Sequence, residues 1–166
     1  MARTVRKSTT ADLPVIMQLI ASGRRIMRSS GNPHQWGNNH PSEDQIRLDI
    51  DRGQSYLLLD GDVAIATWAF IPGPDASYTV ISGGEWIDNV KPYYVIHRVA
   101  SLSGYHGVMS DILDYCFALC SNIRIDTHRD NKIMQHCLQH AGFQYCGIIQ
   151  LADGGGERLA YQRIID

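Results

Sequence analysis

The stretch Tyr93-Tyr-Val-Ile-His-Arg-Val-Ala100 constrains this chain more than any other. An unbroken run of β-branched and aromatic residues, unlike an alternating one, marks a strand covered on both faces. Such a strand belongs inside the sheet of an α/β domain. Only His97 and Arg98 interrupt the run, so two polar side chains stand in the middle of an otherwise apolar strand.

The flanking sequence supplies the rest of the sheet and its helices. A short alternating run, Thr4 to Lys7, comes first, and Thr10 or Asp12 then caps a helix whose apolar positions Leu13, Ile16, Met17, Ile20 and Met27 keep helical spacing. Gly31-Asn-Pro33 ends it. Ser42 with Gln45 forms a capping box for a second helix through about Arg52, after a polar loop, His34 to Pro41, that carries Trp36. Tyr56 to Leu59 and Val63 to Phe70, turning at Asp60-Gly61, read as a hairpin. Pro72 to Pro92 is loop-like, with Gly83-Gly84 and Trp86. After the central strand comes a helix with the stripe Val108, Ile112, Cys116 and Leu119, flanked by Met109, Leu113 and Cys120. Ile123 to Thr127 is a strand, Asp130 or Asn131 caps another helix, and Gly142 suits its left-handed end. Phe143 to Leu151 and Arg158 to Ile165, joined through Asp153-Gly-Gly-Gly156, close as a second hairpin. The order βααβββαβαββ predicts one α/β domain over residues 1–166, with a mixed, largely antiparallel sheet of about seven strands flanked by helices.

Composition narrows the partners. Fifteen Lys and Arg face 17 acids with no basic block, so the electrostatic footprint of a nucleic-acid or anionic-membrane binder is missing. No targeting segment or apolar span is expected, and Cys116, Cys120, Cys137 and Cys146 read as thiols of a reducing, cytoplasmic protein. A small ligand is the default.

The order of elements, together with Asp126-Thr-His-Arg-Asp-Asn131 and the run to Gly142-Phe143, resembles the GCN5-related N-acetyltransferase family over essentially the whole chain. That family's helix reads Asn-x-x-Ala-x-x-x-Tyr-x-x-x-Gly-Phe. Here the same spacing holds Asn131, Met134, Leu138, Gly142 and Phe143, and three of the five positions match. Tyr145-Cys-Gly147, Asp153-Gly154 and Arg158-Leu-Ala-Tyr161 resemble a bacterial branch of acetyltransferase-like members. A second, looser likeness concerns the family's Gln/Arg-x-x-Gly-x-Gly/Ala loop, where this chain has Gly104-Tyr-His-Gly-Val-Met109 and keeps only the middle glycine, Gly107.

The resemblance implies acetyl transfer from acetyl-CoA, without a metal, to the amine of a small molecule or peptide; a homodimer stays open. It implies that Gly104, His106, Gly107, Val108, Met109 and Ser110 meet the cofactor's pyrophosphate, where backbone N–H groups at a helix start are needed. By position, Val99, Ala100 and Ser101 offer main-chain contacts to the pantetheine, with Asn131 close to the same arm.

Removing a proton from an alkylammonium near pKa 10 requires a base. His97 and Glu85 are the candidates, and Trp36 and Trp86 are the aromatics available to an acceptor pocket. By strand alternation Arg98 faces away from His97 and reads as an ion-pair partner. The tyrosine that the family uses as general acid is replaced by Leu138, leaving Tyr145, Cys137 and His128 as substitutes. The loss of that tyrosine and the altered loop motivate an alternative: a catalytically impaired member with a ligand-binding or regulatory role. His136 and His140 lack the partners of a zinc site, and Cys116 and Cys120 read as core.

Overall fold

Seven strands and four helices follow one another in the computed structural model, which describes residues 2–166. They are β1 (Arg3–Lys7), α1 (Leu13–Ser29), α2 (Glu43–Asp51), β2 (Ser55–Asp60), β3 (Val63–Pro72), β4 (Tyr94–Ser101), α3 (Val108–Leu119), β5 (Asn122–Thr127), α4 (Lys132–His140), β6 (Gln144–Gln150) and β7 (Glu157–Ile164). This is the order expected from the sequence. The strands form one sheet, β1-β2-β3-β4-β5-β7-β6. Every neighbouring pair is antiparallel except β4 and β5.

Both faces of β4 are covered, as its composition requires. On one side α3 and α4 bury Ile112, Leu113, Cys116 and Leu138 against Trp68, Phe70, Ile96 and Ile125. On the other, α1 and α2 bury Leu13, Ile16, Ile20 and Ile46 against Leu57 and Ala100. Leu119 departs from the predicted stripe: it is 56% exposed at the last position of α3.

The segment 73–92 extends the α1/α2 face and is held in place almost without regular structure. Tyr78 and Trp86 are buried against Val95, Cys146 and Ile149. Ser82 bridges Ile148, and a Cβ at Gly84 would stand 2.1 Å from the Cys146 carbonyl oxygen, so only glycine permits this approach. The buried Arg124 guanidinium lies 4.0 and 3.9 Å from the rings of Trp86 and Tyr93 and donates to the Asp88 carbonyl.

Local signals account for the helix ends. The Ser42 side chain accepts from Gln45 N–H at 3.1 Å, but only half of the capping box forms, because the Gln45 amide turns to Asp49 instead. Gly142 takes φ +83°, and Phe143 N–H reaches back to the Leu138 carbonyl, closing α4 as a Schellman motif. At the start of α1, Asp12 accepts from Thr9 N–H and from both ends of the Arg6 guanidinium at 2.8 Å. The Arg6 hydrogen bond holds the Asp12 carboxyl down at about 2, despite the opposing effect of burial.

An acid-side prediction follows from that carboxylate. Its folded pKa lies below its unfolded one, so the stability it contributes is complete above about pH 4 and is lost as pH falls toward 2. Arg6 is half exposed, so solvent screening reduces the contribution to about 1 kcal/mol. Asp12→Asn should cost that amount at pH 7 in urea unfolding and nothing near pH 2.

Candidate active site

The parallel pair β4 and β5 is in register only at Tyr94 with Ile123 and Val95 with Arg124. Beyond Val95 the strands splay, leaving the β5-facing edge of β4 without strand partners down to Ser101. A bulge sits in this segment: Arg98 and Val99 together face Trp68, and Arg98 adopts φ +54°. The extra residue reverses the facing of all that follows. Ile96 and Val99 therefore both pack toward α3, while Val95 and Ala100 lie on the opposite side.

This bulge corrects the expectation that Arg98 faces away from His97. The two side chains line the same cavity, although the ion-pair role holds: Arg98 grips the buried Asp49 of α2 with two hydrogen bonds of 2.7 and 2.8 Å. A guanidinium clamped to a fork of carboxylate oxygens offsets the strain of a left-handed arginine.

On the α4 side of the splay lies a largely apolar groove of about 240 Å³. Of the predicted cofactor residues, Val99, Ala100, Ser101, Val108, Met109 and Asn131 line it, facing Met27 of α1 and Met134 of α4. Gly107 and Ser110 line an adjoining recess that shares Met109 and Cys137 with the groove. Gly104 and His106 lie on the exposed turn before α3. Gly107 stands at the N-cap with φ +73°, and no side chain caps α3, so its first backbone N–H groups stay available to an anion. Arg3 of β1 reaches this turn, donating to the His106 carbonyl at 2.7 Å and to Asp111 at 2.8 Å.

Asn131 caps α4. Its Oδ1 accepts from Met134 N–H at 3.0 Å, and its Nδ2 donates to Gln35 Oε1 at 3.0 Å, tying α4 to the α1–α2 loop. Asn131→Ala should cost about 1 kcal/mol through the lost cap. The check is urea unfolding, and an unchanged midpoint would contradict it.

Across β4 from the groove is a polar cavity of about 170 Å³, whose lining includes Trp36, Asp75, His97, Arg98, Asp126 and Arg158. His97 Nε2 lies 2.9 Å from Asp75 Oδ2. Burial alone would raise the Asp75 carboxyl. The hydrogen bond and charge of His97, with the N–H of Ser77, outweigh burial and hold it below the usual carboxylate value. An ionised carboxylate only accepts, so Nε2–H is the donor of this contact, and in the neutral imidazole Nδ1 is then the nitrogen with the lone pair. Tyr78 donates to Asp126 at 2.6 Å, and burial, reinforced by that carboxylate, pushes its phenol well up.

Two expected site residues are not brought here. Glu85 is exposed and lines neither recess; Asp75, 22 residues before His97, has the place beside the imidazole. Trp86 is buried beneath Tyr78, with ring centroids 5.2 Å apart and its N–H donated to the Tyr78 carbonyl, so it supports the cavity from behind. Among the described residues, no group of three metal-ligating side chains converges.

No protein-family model matches the sequence, and no curated protein matches it. Solved structures do. A GNAT-family acetyltransferase of Streptococcus agalactiae superposes with a TM-score of 0.90 at 28% identity, over 99% of this chain and 96% of that one. The chain belongs to the GCN5-related N-acetyltransferase family. A GNAT-family acetyltransferase of Listeria monocytogenes is similar in fold, with a TM-score of 0.72 at 20% identity over 98% of this chain and 95% of that one. So is the NatC complex bound to Gag peptide and CoA, at 0.62 and 13% over the full length of both chains.

As a GNAT protein the chain is unusual at the position where family members carry a tyrosine. Leu138 is fully buried in the α3/α4 core and offers no proton. Of the three proposed substitutes, Tyr145 is 44% exposed on β6, and His128 is pushed down by burial and by Arg158. Cys137 lines the groove, its thiol pushed up by burial. The residues that sequence reasoning missed, Asp75, Asp126 and Arg158, left faint signals. Asp75 sits in a Gly-Pro-Asp turn, and Asp126 and Arg158 are charges near the ends of short mixed strands.

Proposed function

We propose that this protein acetylates the amine of a small molecule, with acetyl-CoA as donor and His97 as the base. The reading rests on one observation: the His97–Asp75 pair lines a cavity on one side of β4, and the groove lined by Val99 to Ser101 opens on the other. Donor and acceptor spaces are thus separated by a single strand that splays between them.

The residues of the groove fit CoA. Methionines and valines suit a pantetheine arm, the unpaired edge of β4 supplies main-chain partners, and the uncapped start of α3 suits a pyrophosphate. When bound, acetyl-CoA supplies an acyl carbon that bonds to the amine nitrogen as the carbon–sulfur bond breaks and sulfur leaves as thiolate. Asp75 holds the imidazole in the tautomer whose Nδ1 accepts the ammonium proton. A thiol has a pKa near 8.5, so its thiolate departs without an obligatory acid, which makes Leu138 compatible with turnover.

Incubating the purified protein with acetyl-CoA and a panel of amines, and following release of free CoA thiol, tests this directly. Amine-dependent release supports transfer. Acetyl-CoA binding by calorimetry with no release for any amine supports the alternative, a ligand-binding member that has lost catalysis, which the buried Leu138 motivates.

A further inference from the structure

Arg158, on β7, is 6% exposed, yet no carboxylate lies within 4.0 Å of its guanidinium among the described residues. Its donors go to carbonyls: Gly155 at 3.2 Å, Glu157 at 2.8 Å and Gln35 at 3.1 Å. Carbonyl oxygens hold the plane of the group in place but do not neutralise it. A buried cation without a directly bonded carboxylate is costly, and burial pulls this guanidinium down from its ordinary value against the longer-range attraction of Asp126 and Asp153. The other arginine of the cavity, Arg98, is neutralised by Asp49.

A carboxylate of the same cavity is also without a cation. Asp126 faces Ala160 across β5 and β7, so it is a diagonal neighbour of Arg158 on one face of the sheet. It takes a hydrogen bond from the Tyr78 hydroxyl and forms no ion pair. The cavity wall thus holds Arg158 and two carboxylates, Asp126 and Asp153, that attract it without bonding to it directly, beside the His97–Asp75 pair. Arg158 also lines the outer mouth between the α1–α2 loop and the β6–β7 turn, where a substrate would enter.

Building on the acetyl-transfer reading, we infer that the acceptor is an amine that bears its own carboxylate, a free amino acid, with Arg158 receiving the carboxylate while Asp126 and the His97–Asp75 pair face the ammonium. A peptide N-terminus, whose first residue has an amide where the carboxylate would be, leaves Arg158 without a directly bonded carboxylate.

The test uses the unaltered protein with the free L-amino acids, each beside its carboxamide, following CoA thiol release with acetyl-CoA and calorimetric binding of the same pairs in the presence of CoA. A charge-assisted hydrogen bond to a buried guanidinium predicts that the best amino acid exceeds its carboxamide roughly 10- to 100-fold in kcat/KM and in affinity. Arg158→Met should reduce this ratio to near one by slowing the carboxylate substrate alone, and Arg158→Lys should keep part of it. Should Arg158→Met fail to fold, the substrate pairs on the unaltered protein still decide. Carboxamides or simple alkylamines used as well as amino acids would overturn the inference and leave acetyl transfer standing. Absence of both release and binding for every amine would overturn both.

Discussion

His97→Ala should lower kcat by roughly 10² to 10⁴ while leaving acetyl-CoA affinity nearly intact. The imidazole lies on the acceptor side of β4, and its Nε2 is committed to Asp75 at 2.9 Å. Only Nδ1 is left to take a proton, and the other imidazole of the cavity, His40, which burial pushes down, sits on the α1–α2 loop and not on β4. Asp75→Asn removes the charge that sets the tautomer but keeps the imidazole, so its kcat should fall between those of the parent and His97→Ala, with calorimetric acetyl-CoA binding unchanged. A His97→Ala protein that melts earlier yet turns over normally per folded molecule would make His97 a hydrogen-bonded core residue and remove the base from the proposal.

Why His97 was legible and Asp75 was not has a physical explanation. A polar residue in a run such as Tyr-Val-Ile-His-Arg-Val is conspicuous because the strand around it is buried on both faces, and that pattern is local. The element order, the Asn131 cap and the Gly142 helix end were likewise visible because caps and periodicities act over a few residues. Asp75, in contrast, reads as a turn residue and does behave as one, accepting from Ser77 N–H. Its second role depends on how segment 73–92 folds back over the sheet, and that path depends on Gly84 against Cys146 and on Arg124 between two rings. Those are long-range contacts with no period. The same holds for Trp86, a large apolar side chain in a loop, which is as compatible with a pocket wall as with the core it enters. The bulge at Arg98 is the most consequential feature hidden from the sequence, since alternation assumes that none is present.

That bulge yields the largest expected effect on stability. Asp49 is 3% exposed and holds Arg98 through two short hydrogen bonds, with Gln45 as a further donor. Removing one partner of a buried pair leaves a charge that is neither solvated nor compensated, at a cost of about 3–5 kcal/mol. Asp49→Ala should therefore lower the unfolding free energy by that amount in urea titration. The backbone at residue 98 has φ +54°, which an arginine tolerates only while something holds it there and which a glycine adopts without strain. In the double variant Asp49→Ala/Arg98→Gly, the stranded charge and the strain are both absent, and much of the lost stability should return. The bulge itself should survive in that background, because the register on either side is set by Ala69 with His97 and by Thr67 with Ala100. Acetyl transfer should then recover along with the fold, whereas an equally unstable double variant would show that Asp49 acts through its contacts within α2, the Gln45 hydrogen bond among them, rather than through the arginine it neutralises.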